Sequence, residues 1–197
     1  WNALSTQEVK ELVDRLSASL LSIGISGNDL TVENQDKIAL ISKNRVEWLI
    51  LDLACQQVGA LLCPVYPTTN VNELEFIFND AAVKLAFVSG DDILAKVSSI
   101  KSRVPSLQNI YAFDELDGAI YWKELLTQPT QGHFTKLEQV KASITPDHCA
   151  TIIYTSGTTG FPKGVMLSHK NITSNVINAS ESFPFEENVN GRALSFL

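Results

Sequence analysis

At 197 residues, 45% of them hydrophobic and 19% charged, the chain is long enough for a core that buries about 70% of its unfolded surface, and its composition excludes intrinsic disorder. A formal net charge of -7 excludes a general nucleic-acid binder, because a phosphate backbone is gripped by clustered Lys and Arg that this balance does not supply. No apolar run nears the roughly 20 residues of a membrane-spanning helix, no basic stretch followed by an apolar one marks a signal peptide, and three cysteines without a CxxC pair fit neither a disulfide framework nor a zinc site, so a reducing cytoplasm is the expected compartment.

The first element is announced by Ser5 and Glu8, spaced as a capping box, and by Val9, Leu12, Val13, Leu16 and Leu20 at helical spacing until Gly24. The continuous apolar run Ile38 to Ile41 reads as a strand covered on both faces, and Val46 to Val58 has helical length and leads to Gly59. The alternation continues with a strand Leu61 to Tyr66, a helix around Leu74, Ile77, Phe78 and Ala81, and a strand Leu85 to Val88. A helix near Ile93 to Val104 and a strand Asn109 to Phe113 follow. This is a series of βαβ units, so the fold class is α/β, with a mainly parallel doubly wound sheet and flanking helices.

From about Thr127 to Asp147 periodicity fades, and Pro129, Gly132 and Pro146 punctuate what reads as a surface connection. The expected division is a βαβ subdomain over 1–126, this connection over 127–147, and a last segment over 148–197. That segment holds a strand Cys149 to Tyr154, a loop Thr155 to Lys163, a strand Val165 to Leu167 and a helix from about His169 to Ser182. Arg192 to Leu197 reads as a strand that has just begun, and with Trp1 in place of Met the chain is expected to be a piece of a longer protein.

Chemistry concentrates in TSGTTGFPKG, Thr155 to Gly164, set between two apolar strands. Glycine lets the backbone turn its N–H groups toward an anion, and Ser and Thr hydroxyls add short donors, so such a loop suits phosphate oxygens. Lys163 adds a mobile positive charge, and Pro162 restricts the backbone before it. A Walker A loop fails, because Phe161 and Pro162 separate Gly160 from Lys163 and Gly164 follows the lysine; a GxGxxG fingerprint fails as well. A plain flexible Gly and Thr turn is the bland competitor. By average residue frequencies the full pattern would arise by chance in roughly one chain per hundred million.

The stretch Thr151 to Ile172, TIIYTSGTTGFPKGVMLSHKNI, resembles the signature of the adenylate-forming superfamily of acyl-CoA synthetases, luciferases and peptide-synthetase adenylation domains. Upstream, Lys43 to Ser89, KNRVEWLILDLACQQVGALLCPVYPTTNVNELEFIFNDAAVKLAFVS, is similar to the N-terminal subdomain of its long-chain fatty acid–CoA ligases. The resemblance implies part of the large N-terminal domain of an enzyme that activates a carboxylate with ATP as an acyl-adenylate and passes it to CoA. It implies that Thr155, Ser156, Gly157, Thr158, Thr159, Gly160 and Lys163 embrace the β and γ phosphates, with Phe161 at a variable position of lesser weight. It further implies that the Mg2+ ligand, the adenine and ribose contacts and a catalytic lysine domain lie beyond Leu197, so the piece alone is expected to be inactive. The implied partners are a carboxylic acid of fatty acid type, ATP and CoA. An aryl-CoA ligase, a peptide-synthetase adenylation domain and a non-catalytic nucleotide-binding module stand as alternatives, weak ATP binding and peripheral membrane contact stay open, and an unpaired sheet edge would favour self-association.

The remaining candidates read as structural. His133, His148 and His169 lack metal-ligand spacing, and His169 follows Ser168 at a helix start. Cys55 and Cys63 sit amid apolar neighbours as inert thiols, and Trp48 and Trp122 as core rings. Asp91 and Asp92 open a helix, and Glu186 and Glu187 sit in a polar loop.

Overall fold

The structure, a computed structural model, describes residues 3–155 and 160–182. Helix α1 (Thr6–Ser22) begins with the capping box read from the sequence: Ser5 Oγ accepts from Glu8 N, and Ser5 N donates to the Glu8 carboxylate at 2.7 Å. Strand β1 (Lys37–Ile41) is buried at every position. Helix α2 (Val46–Val58) ends at Gly59, whose φ of 70° is left-handed and therefore favours glycine. Strand β2 (Leu61–Pro64), helix α3 (Val71–Asp80), strand β3 (Leu85–Val88) and helix α4 (Asp91–Ile100) continue the alternation. Strands β4 (Asn109–Ala112) and β5 (Ile120–Tyr121) complete this half.

Several boundaries and two whole elements differ from the sequence reading. The second strand stops at Pro64 rather than Tyr66, and Tyr66 stands exposed. The fourth helix opens at Asp91, as expected of Asp91 and Asp92, but gives way after Ile100 to a 3-10 turn at Lys101–Arg103. Residues 127–147 are not merely a connection, because helix α5 (Gln131–Ser143) lies within them. Thr130 and His133 cap it, but Leu137 is its single fully buried residue, so a helix stripe never formed in the sequence. The short β5 was also missed, as two residues carry no period.

Strands β6 (Cys149–Thr155) and β7 (Lys163–Ser168) and helix α6 (His169–Ser182) follow. The begun strand at 192–197 and the loop at 186–187 lie outside the described residues. One seven-stranded sheet results, in the order β5-β4-β3-β1-β2-β6-β7, parallel throughout except for the β6–β7 ribbon. Alternate residues of each strand feed opposite layers. Ile38, Leu40, Leu62 and Phe87 pack under α1, α2 and α5, whereas Ala39, Ile41, Cys63 and Val88 pack under α3 and α4. Trp122 joins an aromatic column on the first face, with its ring edge-on to Phe113 at 5.9 Å and Phe87 beyond at 5.8 Å from Phe113, as core packing of that ring requires.

Candidate functional site

β6 enters the site from inside the sheet, yet its ladder to β2 registers only Leu62 against Thr151. Side chains complete the seam. Thr151 Oγ1 donates to the Leu62 carbonyl at 2.7 Å, and the buried Gln35 donates from Nε2 to the carbonyls of Gly59 and Cys149 at 2.8 and 3.1 Å. Beyond this seam β6 and β7 form an antiparallel ribbon whose last pair is Thr155 and Lys163. Because β6 runs parallel to β2, the Thr155–Lys163 end of the ribbon lies at the carboxyl ends of the parallel strands, where open α/β sheets bind their ligands.

The structure brings Thr155, Gly160 and Lys163 together at this closure, all exposed. Ser156, Gly157, Thr158 and Thr159 lie outside the described residues. Thr155 and Lys163 belong to the strand ends rather than to the loop read from the sequence, so the lysine leaves a hydrogen-bonded backbone directly opposite the threonine. Its ammonium forms no ion pair with the described residues. Gly160 adopts a φ of 96° with open space where a Cβ would stand, so its backbone, not crowding, demands glycine. Gly164 is the opposite case. It pairs with Tyr154, and a Cβ on it would lie 2.9 Å from Ile152 Cγ2 and 3.2 Å from Tyr154 Cζ, so its missing side chain makes room for the Tyr154 ring.

That ring leads to a contact absent from any local pattern. Tyr154 donates from its hydroxyl to Asp80 Oδ2 at the end of α3 at 2.6 Å, across 74 residues of sequence. Burial, then this hydrogen bond and the negative charge of Asp80, hold the phenol well above the usual tyrosine range. On the other arm of the loop, Phe161 is 66% exposed but sets its ring 5.0 Å from that of Phe76 on α3, tilted by 31°.

The cysteines of the described residues are held as thiols. Burial pushes the Cys63 thiol up to about 12, and raises Cys55 and Cys149 as well. His133 and His148 each accept a backbone N–H at Nδ1, from Thr130 at 3.0 Å and Thr145 at 2.9 Å, and so cap turns. Ser168 caps the helix that His169 opens, as its hydroxyl accepts from Asn171 N at 3.2 Å. Burial, then His148, lowers the pKa of His169. Among the described residues no group of three His, Cys, Asp or Glu could hold a metal. The strand order also reverses between β1 and β3, but the charges there serve each other: Arg45 pairs with both Asp114 oxygens at 3.0 Å and with Glu47 at 2.8 Å.

The chain is an open α/β sheet with Thr155, Gly160 and Lys163 exposed at the carboxyl ends of its parallel strands, where proteins of the open-sheet class bind ligands. The family of AMP-binding enzymes matches residues 1–197, and the chain belongs to it. It is 37% identical over 162 residues to fatty acyl-CoA synthetase B of Dictyostelium discoideum, covering 78% of this chain and 24% of that protein. It is 28% identical over 178 residues to the long-chain-fatty-acid–CoA ligase ACSBG2 of Xenopus laevis, covering 88% of this chain and 23% of that protein. The crystal structure of a putative long-chain-fatty-acid CoA ligase from Rhodopseudomonas palustris superposes with a TM-score of 0.73 at 21% identity, over 91% of this chain and 42% of the other. The chain thus spans about a quarter of the length of the curated relatives it matches here.

Proposed function

We propose that the chain is the phosphate-gripping front portion of an ATP-dependent fatty acid–CoA ligase, which activates a carboxylate as an acyl-adenylate and transfers it to CoA with release of AMP and pyrophosphate. The observation that carries this reading is Lys163, exposed and free of ion pairs to the described residues, opposite Thr155 at the carboxyl edge of the sheet. The naming of the relatives as fatty acyl-CoA synthetases supports the substrate class. In this role Thr155, Ser156, Gly157, Thr158, Thr159, Gly160 and Lys163 together embrace the β and γ phosphates. They stabilise negative charge as it moves onto departing pyrophosphate. These residues position and neutralise; none forms a covalent bond to substrate. Mg2+ would accompany ATP and supply further neutralisation of the phosphate charge.

Lys163→Ala in the protein of family length that carries this chain should remove a charge-assisted contact of about 1.5 to 3 kcal/mol and slow adenylation roughly ten- to a hundredfold. ATP–pyrophosphate exchange measures it, and an unchanged rate at both low and saturating ATP would sink the reading. With a quarter of its relatives' length, the 197-residue chain alone is proposed to form no acyl-adenylate, and exchange activity in that piece would overturn this. Self-association of the piece along β7 is proposed as well.

A further inference from the structure

Resting on the phosphate reading above, we infer that one face of α3 positions the phosphate loop, with Phe76 holding Phe161 near the loop's end and Asp80 holding Tyr154 before it. Phe76 and Asp80 are four residues apart, so they lie one above the other on the same side of the helix. The first stem of the loop is fixed by the 2.6 Å hydrogen bond from the Tyr154 hydroxyl, and Gly164 leaves the space that this ring occupies. The second stem is fixed by the Phe76–Phe161 ring pair, two residues before Lys163. An exposed phenylalanine in a polar closure has no core to join, and its contact with Phe76 gives it a function: it limits the directions in which Gly160 and Lys163 can present their amide and ammonium. Phe161 is therefore a positioning residue, against the sequence expectation that its position carries little weight.

The test compares Phe161→Ala, Phe76→Ala and their combination with Phe161→Tyr, which keeps a ring. Two readouts are taken: amide hydrogen exchange at Gly160, Phe161 and Lys163 in this chain, and KM and kcat for ATP in pyrophosphate exchange by the protein of family length. Both alanine variants should speed exchange at these amides by similar factors and raise KM for ATP about two- to tenfold, the equilibrium equivalent of one aromatic pair. The combination should add nothing to either single change, and Phe161→Tyr should behave as the parent. Thermal midpoints separate this from loss of fold, because Phe161 is too exposed for its truncation to unfold the chain. Unchanged amide exchange in Phe76→Ala, or effects that multiply in the combination, would overturn the anchoring role. An inert Lys163→Ala would instead defeat the phosphate reading, while amide exchange would still judge the anchor by itself.

Discussion

Cys63 lies midway along β2 with no exposed surface, and its thiol, pushed up to about 12, leaves an ionised fraction on the order of one in ten thousand at pH 8. Cys55 and Cys149 are raised by the same cause. Native protein should therefore resist iodoacetamide at pH 8 and react fully once unfolded in urea. The same burial sets the direction of a pH effect. Unfolded thiols ionise near about 8.5, so above that pH the unfolded chain releases a proton that native Cys63 keeps until about 12. The contribution is complete below the lower value and lost as pH rises toward the upper one; urea midpoints should fall across this window, and less steeply in Cys63→Ala. At the proposed site, the sequence points to Gly160 and Lys163 because their character is written in the residue type itself, a permissive backbone and a mobile cation. Phe76 and Asp80 were not, because their partners are 85 and 74 positions away and no local spacing links them.

The helices divide in the same way. The starts of α1 and the end of α2 were readable from Ser5, Glu8 and Gly59, since caps and a left-handed glycine satisfy backbone groups locally. α5 lacks an apolar stripe, so its sequence reads as a connection. It packs on α1 and α2 through Leu137, 1% exposed, with Val140 partly buried beside it. Leu137→Ala should thus cost about 2 to 5 kcal/mol, the usual range for a cavity left in a core. A urea titration would register it as a lower midpoint, whereas a loss below about 0.5 kcal/mol would mean that α5 rides on the surface without supporting it.

β7 is an edge of the sheet formed by the described residues, and Val165 and Met166 on it are exposed together with Val176 and Ile177 on α6. An edge with unpaired backbone groups and apolar side chains invites pairing with another copy, which is the basis of the proposed self-association. Light scattering should show mass rising with concentration, and Met166→Lys should reduce it; a monomer at every concentration would end the idea. The sheet also separates two layers with different duties. The α3–α4 side carries Tyr154, Asp80 and Phe76, and so shares its packing with both arms of the β6–β7 closure, while the α1–α2–α5 side holds none of these groups. Efforts to make the chain sturdier can therefore be spent on the α1–α2–α5 layer, which holds neither the Tyr154–Asp80 nor the Phe76–Phe161 contact, whereas any alteration beneath α3 reaches both.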